Sequence, residues 1–144
     1  MIKVLCKYIS IAEVPNLNSK DNYKKIVSPL DYRYGFEKGI LYNVFGIIQS
    51  SGILMLYLVQ HGTYELNIGP AVLFECDWSK IPENWYVRMG FLKEESFEIL
   101  PEKLSSIEGW FEKYIDEDPN VLELVKTEID DMRGNALPGN KGIH

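Results

Sequence analysis

The densest gathering of reactive side chains is FECDWSKIPENWYVRM, from Phe74 to Met89. Glu75 and Asp77 stand two apart. On a strand that spacing puts both carboxylates on one face, where a buried pair could do general acid–base work. Cys76 between them is the thiol that nucleophilic catalysis would use, given a histidine base. Only two histidines are present. His144 is on a terminal stretch expected to be loose, and His61, in VQHGTY beside a glycine, reads as a surface residue of a hairpin turn. No Gly-x-Ser-x-Gly occurs, and no cysteine stands near a histidine in sequence. The carboxylate pair also has a plainer reading as solvent-facing, because Phe74, Cys76 and Trp78 fill the opposite face with apolar side chains. A pocket near Glu75, Asp77 and His61, serving a small enzyme or ligand-binding domain, is carried forward as the alternative.

Metal and phosphate chemistry leave weaker traces. Cys-x-x-Cys and His-Glu-x-x-His are absent. DEDPN, residues 116–120, lacks the glycine and the terminal glutamate of a calcium loop and reads as a helix end followed by a helix cap. The glycines are scattered, without the rhythm of a phosphate cradle between strand and helix. No metal and no cofactor is expected.

Charge says more. The net charge is −6, and it is concentrated. Ten carboxylates lie within 102–131: Glu102, Glu108, Glu112, Asp116, Glu117, Asp118, Glu123, Glu128, Asp130 and Asp131, against Lys103, Lys113 and Lys126. Direct nucleic-acid binding needs a basic surface, so this end of the chain argues against it. A basic protein partner suits it. A second candidate contact is LDYRYGF, residues 30–36, where Tyr32, Arg33 and Tyr34 sit in an irregular loop; such residues are enriched at protein interfaces. The competing reading has this loop folded back on the sheet with its rings buried. The partner-binding candidates are therefore Tyr32, Arg33 and Tyr34 with Glu112, Asp116, Glu117, Asp118, Glu123, Asp130 and Asp131.

These residues need a scaffold. The 144 residues fit one domain, 1–134, with a loose tail over 135–144. Two cysteines and no leader segment predict a cytoplasmic protein with reduced thiols. Residues 40–59 approach the length of a membrane span, but Gln49-Ser50-Ser51-Gly52 divides them into two strands, 40–48 and 53–59, joined by a turn. ILMLYLV is apolar on both faces, as in a central strand covered on both sides. Further strands are predicted over 2–8, 63–68 (ended by Gly69-Pro70), 71–78, 84–92 and 96–100. Tyr86 and Arg88 alternate with Trp85, Val87 and Met89 on the strand at 84–92, so one face there should be buried. Residues 10–39 are polar and broken, with one short helix capped by Asn18 or Ser19 and running to Ile26. Such long irregular stretches tend to be functional or disordered.

Two helices should close the chain. Ser105 and Glu108 have the spacing of a capping box, followed by an apolar stripe of Ile107, Trp110, Phe111, Tyr114 and Ile115. Asp118-Pro119 is a helix cap with proline at the first helical position. Val121, Leu122, Val125, Ile129 and Met132 form the second stripe, and Gly134 is the stop. Strands first and helices last predict an α+β domain: a mostly antiparallel sheet of about five to six strands with two C-terminal helices packed on one face.

From about Ile81 onward the chain resembles the immunity proteins of bacterial polymorphic-toxin and contact-dependent growth inhibition systems. The features in common are the Ile-Pro-x-x-Trp strand entry of IPENW, the short strand SFEIL ending in Pro101, and the aromatic helix of GWFEKYI followed by the acidic break DEDP. The resemblance spans less than half of the chain and its features belong to the fold, so no site residue carries over. It implies a small acidic cytoplasmic α+β domain without catalytic residues, which binds a cognate toxin domain, often a basic nuclease, and blocks its active site.

Overall fold

Alternating apolar residues in the middle of the chain build the sheet that everything else covers. The computed structural model describes residues 2–15, 17, 20–24, 29–50, 52–60, 62–76, 82–89 and 96–135. Strands β1 (Ile2–Cys6), β2 (Leu41–Ser50), β3 (Ile53–Gln60), β4 (Leu66–Pro70), β5 (Phe74–Glu75), β6 (Trp85–Met89) and β7 (Phe97–Pro101) form one sheet, and every pairing is antiparallel. The helices are α1 (Lys20–Tyr23), α2 (Glu102–Ser105), α3 (Trp110–Ile115) and α4 (Pro119–Asn135). The α+β class and the antiparallel sheet follow the sequence reading; the sheet has seven strands, and α2 precedes the two larger C-terminal helices.

The long hairpin β2–β3 is the spine. β3 pairs with β2 along its length on one side and with β4 on the other. The other edge of β2 is shared. Its first half, Leu41–Val44, pairs with β1, which carries β5; its second half, Ile47–Gln49, pairs with β7, which carries β6. A register shift between Val44 and Gly46 marks the fork. Gly46 is required there by space: a β-carbon would stand 2.6 Å from Leu100 Cδ2 and 3.1 Å from both the Ile99 carbonyl oxygen and Tyr57 Cδ2. Gly46→Ala is therefore expected to lower stability by about 1–3 kcal/mol, the usual cost of overpacking. Urea unfolding checks this, and an unchanged midpoint would show that the fork has slack.

The two faces of the sheet are covered differently. Phe45, Ile48, Tyr57, Val59, Leu66 and Leu100 pack beneath Leu104, Trp110, Val121, Val125 and Ile129 of the helices. Val4, Val44, Ile47, Leu56 and Leu58 face the other way, toward Phe36. Beside them Ile11, Val14 and Tyr23 close over Ile53 and Leu73. The described part of 10–39 is thus a packed layer with little regular structure, a 3-10 turn at Ile11–Glu13 and the short α1, not a free loop. Alternation along β2 and β3 drives this three-layer arrangement, since both faces are apolar and each needs a cover.

Several elements depart from their predicted form. β1 ends at Cys6, not residue 8. β4 starts at Leu66 and includes Gly69 and Pro70, which were expected to end it; an edge strand tolerates a residue with no N–H. Residues 71–73 form a single 3-10 turn, leaving only Phe74 and Glu75 of the predicted strand 71–78 among the described residues. On β6 neither face is fully buried. Trp85 and Arg88 are half-buried, Arg88 opposite Glu98 in the pairing, while Tyr86 (50% exposed), Val87 (62%) and Met89 (66%) are exposed. The capping box is not made: Ser105 is the last residue of α2, its Oγ donates to the Glu102 carbonyl at 2.7 Å, and α3 begins only after Gly109, whose φ is +67°. The caps proposed at Asn18 or Ser19, the helix end at Ile26 and the tail 136–144 lie outside the described residues. α4 passes through Gly134 and ends at Asn135.

Candidate functional site

The two predicted contact surfaces lie on opposite faces of the sheet. Tyr32 and Arg33 are exposed, while Tyr34 is half-buried and packs toward the layer that carries Phe36 and Tyr23. Tyr32 meets Tyr34 edge to face, with centroids 4.9 Å apart. The acidic residues stand on α3 and α4, across the sheet. One flat partner surface cannot cover both sets at once.

The acidic set is itself divided by local chemistry. Glu112, Asp116, Glu117 and Glu123 are exposed. Asp118 is a helix cap, as its place before Pro119 predicts: its Oδ1 accepts from the backbone N–H of Asn120 at 2.9 Å and of Val121 at 3.2 Å. Glu117 closes α3 with φ +60°. Its N–H bonds the Tyr114 carbonyl and that of Asp118 bonds the Lys113 carbonyl, a double closure that glycine usually provides. A side chain in that conformation costs about 1–2 kcal/mol. Asp130 accepts the Tyr64 hydroxyl at 2.5 Å, and the Tyr64 ring lies under Arg133 (5.1 Å) and Lys126 (5.5 Å). Arg133 also donates to the Thr63 carbonyl. Asp118 and Asp130 thus fasten the fold, while the side chains of Glu112, Asp116, Glu117 and Glu123 form no hydrogen bond or ion pair among the described residues and stand exposed.

The apolar stripes pack as expected apart from one residue each: Ile107, Trp110, Phe111 and Tyr114, and Val121, Val125, Ile129 and Met132, join the helix-covered core. Ile115 is 61% exposed, because it stands a further ~100° round the helix from Tyr114 and leaves the buried side. Leu122 is exposed too; the buried face of α4 runs through Val121, Val125, Glu128 and Ile129. That face includes a carboxylate. Glu128 is 6% exposed and lines a cavity of about 540 Å³ bounded by α4, α2 and the entry to β6. Glu102, Lys103, Asp130 and Asp131 line it with Trp85. Burial, then the charge of Asp131, pushes the Glu128 carboxyl above the ordinary carboxylate range, against the pull of Lys103.

A second buried carboxylate, Glu98, is 2% exposed. Its Oε2 accepts the Tyr57 hydroxyl at 2.6 Å and the Trp110 indole N–H at 3.2 Å. Burial and the Glu98 charge push the Tyr57 hydroxyl far above its ordinary range. Arg88, opposite Glu98 in the strand pairing, donates to the Ile107 carbonyl at 2.8 Å. Tyr57, Arg88, Glu98 and Trp110 line a cavity of about 280 Å³ with Glu108 and Glu112 among its other walls. Neither Glu98 nor Glu128 is among the residues singled out from sequence. Each leaves a signal: Glu98 interrupts an apolar strand, and Glu128 falls three residues after Val125, inside the buried stripe.

The residues that first suggested chemistry are dispersed. Glu75 is exposed, with its carboxylate 3.6 Å from Lys7 Nζ. Asp77 and His61 lie outside the described residues. Cys6 is buried and Cys76 half-buried, neither in a disulfide, and burial raises the Cys6 thiol. Among the described residues no three His, Cys, Asp or Glu are grouped to hold a metal ion, and no helix is long and apolar enough to cross a membrane. No known protein family, no curated protein and no solved structure matches the chain.

Proposed function

We propose that the protein is a cytoplasmic immunity protein, which binds a cognate bacterial toxin domain of basic surface, such as a nuclease, and neutralises it by covering its active site. The observation that carries this reading is the set of exposed carboxylates on α3 and α4, Glu112, Asp116, Glu117 and Glu123, standing on a rigid helical layer. Such a face steers a basic partner and speeds its association. Glu117 adds weight: it keeps a charged side chain at a backbone position that favours glycine. The resemblance from Ile81 onward points the same way.

The test uses Glu112→Gln, Asp116→Asn, Glu117→Asn and Glu123→Gln together. Asp118 and Asp130 are left intact, because their loss would weaken the fold itself. With the toxin domain encoded beside this protein's gene, the parent should restore growth on co-expression. The variant should associate about tenfold or more slowly at low salt, with a flatter salt dependence. Unchanged kinetics with unchanged rescue would exclude this face.

The Glu98 cavity favours a second reading, a small-ligand or catalytic domain, at a different place from Glu75. Stoichiometry separates the two. An inhibitor protects in proportion to its amount, whereas an enzyme turns over.

A further inference from the structure

The cavity at the end of α4 is acidic, and it contains a carboxylate that the fold leaves unpaired. Glu128 is more than nine-tenths buried, yet its side chain lines the cavity. Among the described residues it accepts no hydrogen bond and forms no ion pair within 4 Å. A carboxylate on so buried a side chain, its oxygens still within reach of solvent through the cavity, is held better by a cation that can also donate hydrogen bonds. Asp131 and Glu102 add charge of the same sign, Lys103 opposes them, and Trp85 supplies an aromatic wall. The carboxylates are not grouped for a metal ion. A planar cation with several donors fits this lining best, since it can bond a carboxylate and lie against an indole ring together.

We infer that this cavity is a receptor for a guanidinium side chain, with Glu128 as its buried anchor, and that it takes an arginine of the bound partner. The second half of this statement rests on the proposed toxin-binding role; the first does not. On a partner, an arginine seated here would be an anchor, held in a desolvated pocket beside the acidic surface that guides approach.

The probe is arginine methyl ester, with glycine methyl ester and calcium chloride as controls. The reporter is the methyl group of Met132, a residue that lines the cavity, followed by NMR in methionine-labelled protein, with Met55, which does not line it, as the reference. Arginine methyl ester should shift Met132 saturably and leave Met55 in place. Glu128→Gln should weaken that binding by about tenfold or more. The variant should also fold: a carboxyl raised on folding contributes its stability below the unfolded pKa and loses it as pH rises through the folded one. Around Glu128 the charged groups are Asp130 and Asp131 of α4 with Glu102 and Lys103 of α2; the β6 entry contributes Pro82, Asn84 and Trp85, none of them charged. The variant's melting temperature should therefore exceed the parent's by about 2–4 °C at neutral pH, and the gap should close in acid.

No saturable Met132 shift, an equal response to glycine methyl ester or calcium, or undiminished binding by Glu128→Gln would each overturn the inference. Arginine binding with unaltered toxin association in Glu128→Gln keeps the guanidinium site and removes its role toward the partner. Slower association in the surface variant, with no arginine binding, keeps the toxin reading and removes the cavity.

Discussion

Trp110→Ala is expected to cost about 3–5 kcal/mol, out of a total that for a domain this size is about 5–15 kcal/mol. Two losses combine. The indole is 1% exposed and joins the layers: its ring lies 4.9 Å from Tyr57, 5.4 Å from Phe111 and 6.0 Å from Phe45, centroid to centroid. Removing it leaves a void where α3 meets β2 and β3, too rigidly framed to collapse. It also removes one of the two donors that the described residues give to the buried Glu98 carboxylate. Trp110→Phe separates the effects, since it keeps much of the ring and loses the N–H. Its cost should be about 1–3 kcal/mol, the cost of an unmet hydrogen bond to a buried group. Urea unfolding followed by circular dichroism measures both. A loss below about 1 kcal/mol for the alanine variant would mean that α3 does not hold the core together.

Trp110 also shows how much of the molecule can be read from its sequence. Its burial is legible, because Trp110, Phe111 and Tyr114 share one side of a helix. So are the β2–β3 hairpin, marked by two apolar runs around Ser50-Ser51-Gly52, and the Asp118 cap, marked by the proline after it. These signals are local, and the backbone obeys them wherever it is placed. The failures are all tertiary. Ser105 and Glu108 have capping-box spacing, but Gly109 takes a left-handed turn and the helix starts after it. The apolar alternation of β6 leaves Val87 and Met89 exposed, and register with β7 sets Arg88 opposite Glu98. The division of β2 between β1 and β7 leaves only one trace, Gly46, whose reason is a neighbour more than fifty residues away. The site suffers most. Surface carboxylates can be counted from sequence, but the two that are buried, Glu98 and Glu128, differ from them only in which neighbours close over them.

Tyr57→Phe tests the other donor to Glu98, and its expected cost is about 1.5–3 kcal/mol near neutral pH, the range for a hydrogen bond to a charged group. The substitution keeps the ring against Trp110 and Phe111 and deletes only the hydroxyl that gives Glu98 its shorter bond, 2.6 Å against 3.2 Å for the indole. Because both donors serve one oxygen, the double variant Tyr57→Phe with Trp110→Phe should not cost the sum of the two. The pH dependence gives a sharper check. Burial, then Glu98, raises the Tyr57 hydroxyl on folding. Its contribution is therefore complete below the unfolded tyrosine pKa of about 10 and is lost as pH rises beyond it, because the unfolded chain releases a proton that the fold retains. Phenylalanine has no such proton. The stability gap between parent and variant should hold steady from pH 7 to 9, begin to narrow near pH 10, and approach about 1.4 kcal/mol for each pH unit only above that. Tyr23, Tyr34 and Tyr42 are also raised by burial, but they are present in both proteins and cancel. Urea midpoints at pH 8 and pH 10.5 decide the matter. A gap that stays constant across that range would mean that the Tyr57 hydroxyl is neither buried nor held by Glu98 on folding, against the geometry of that contact.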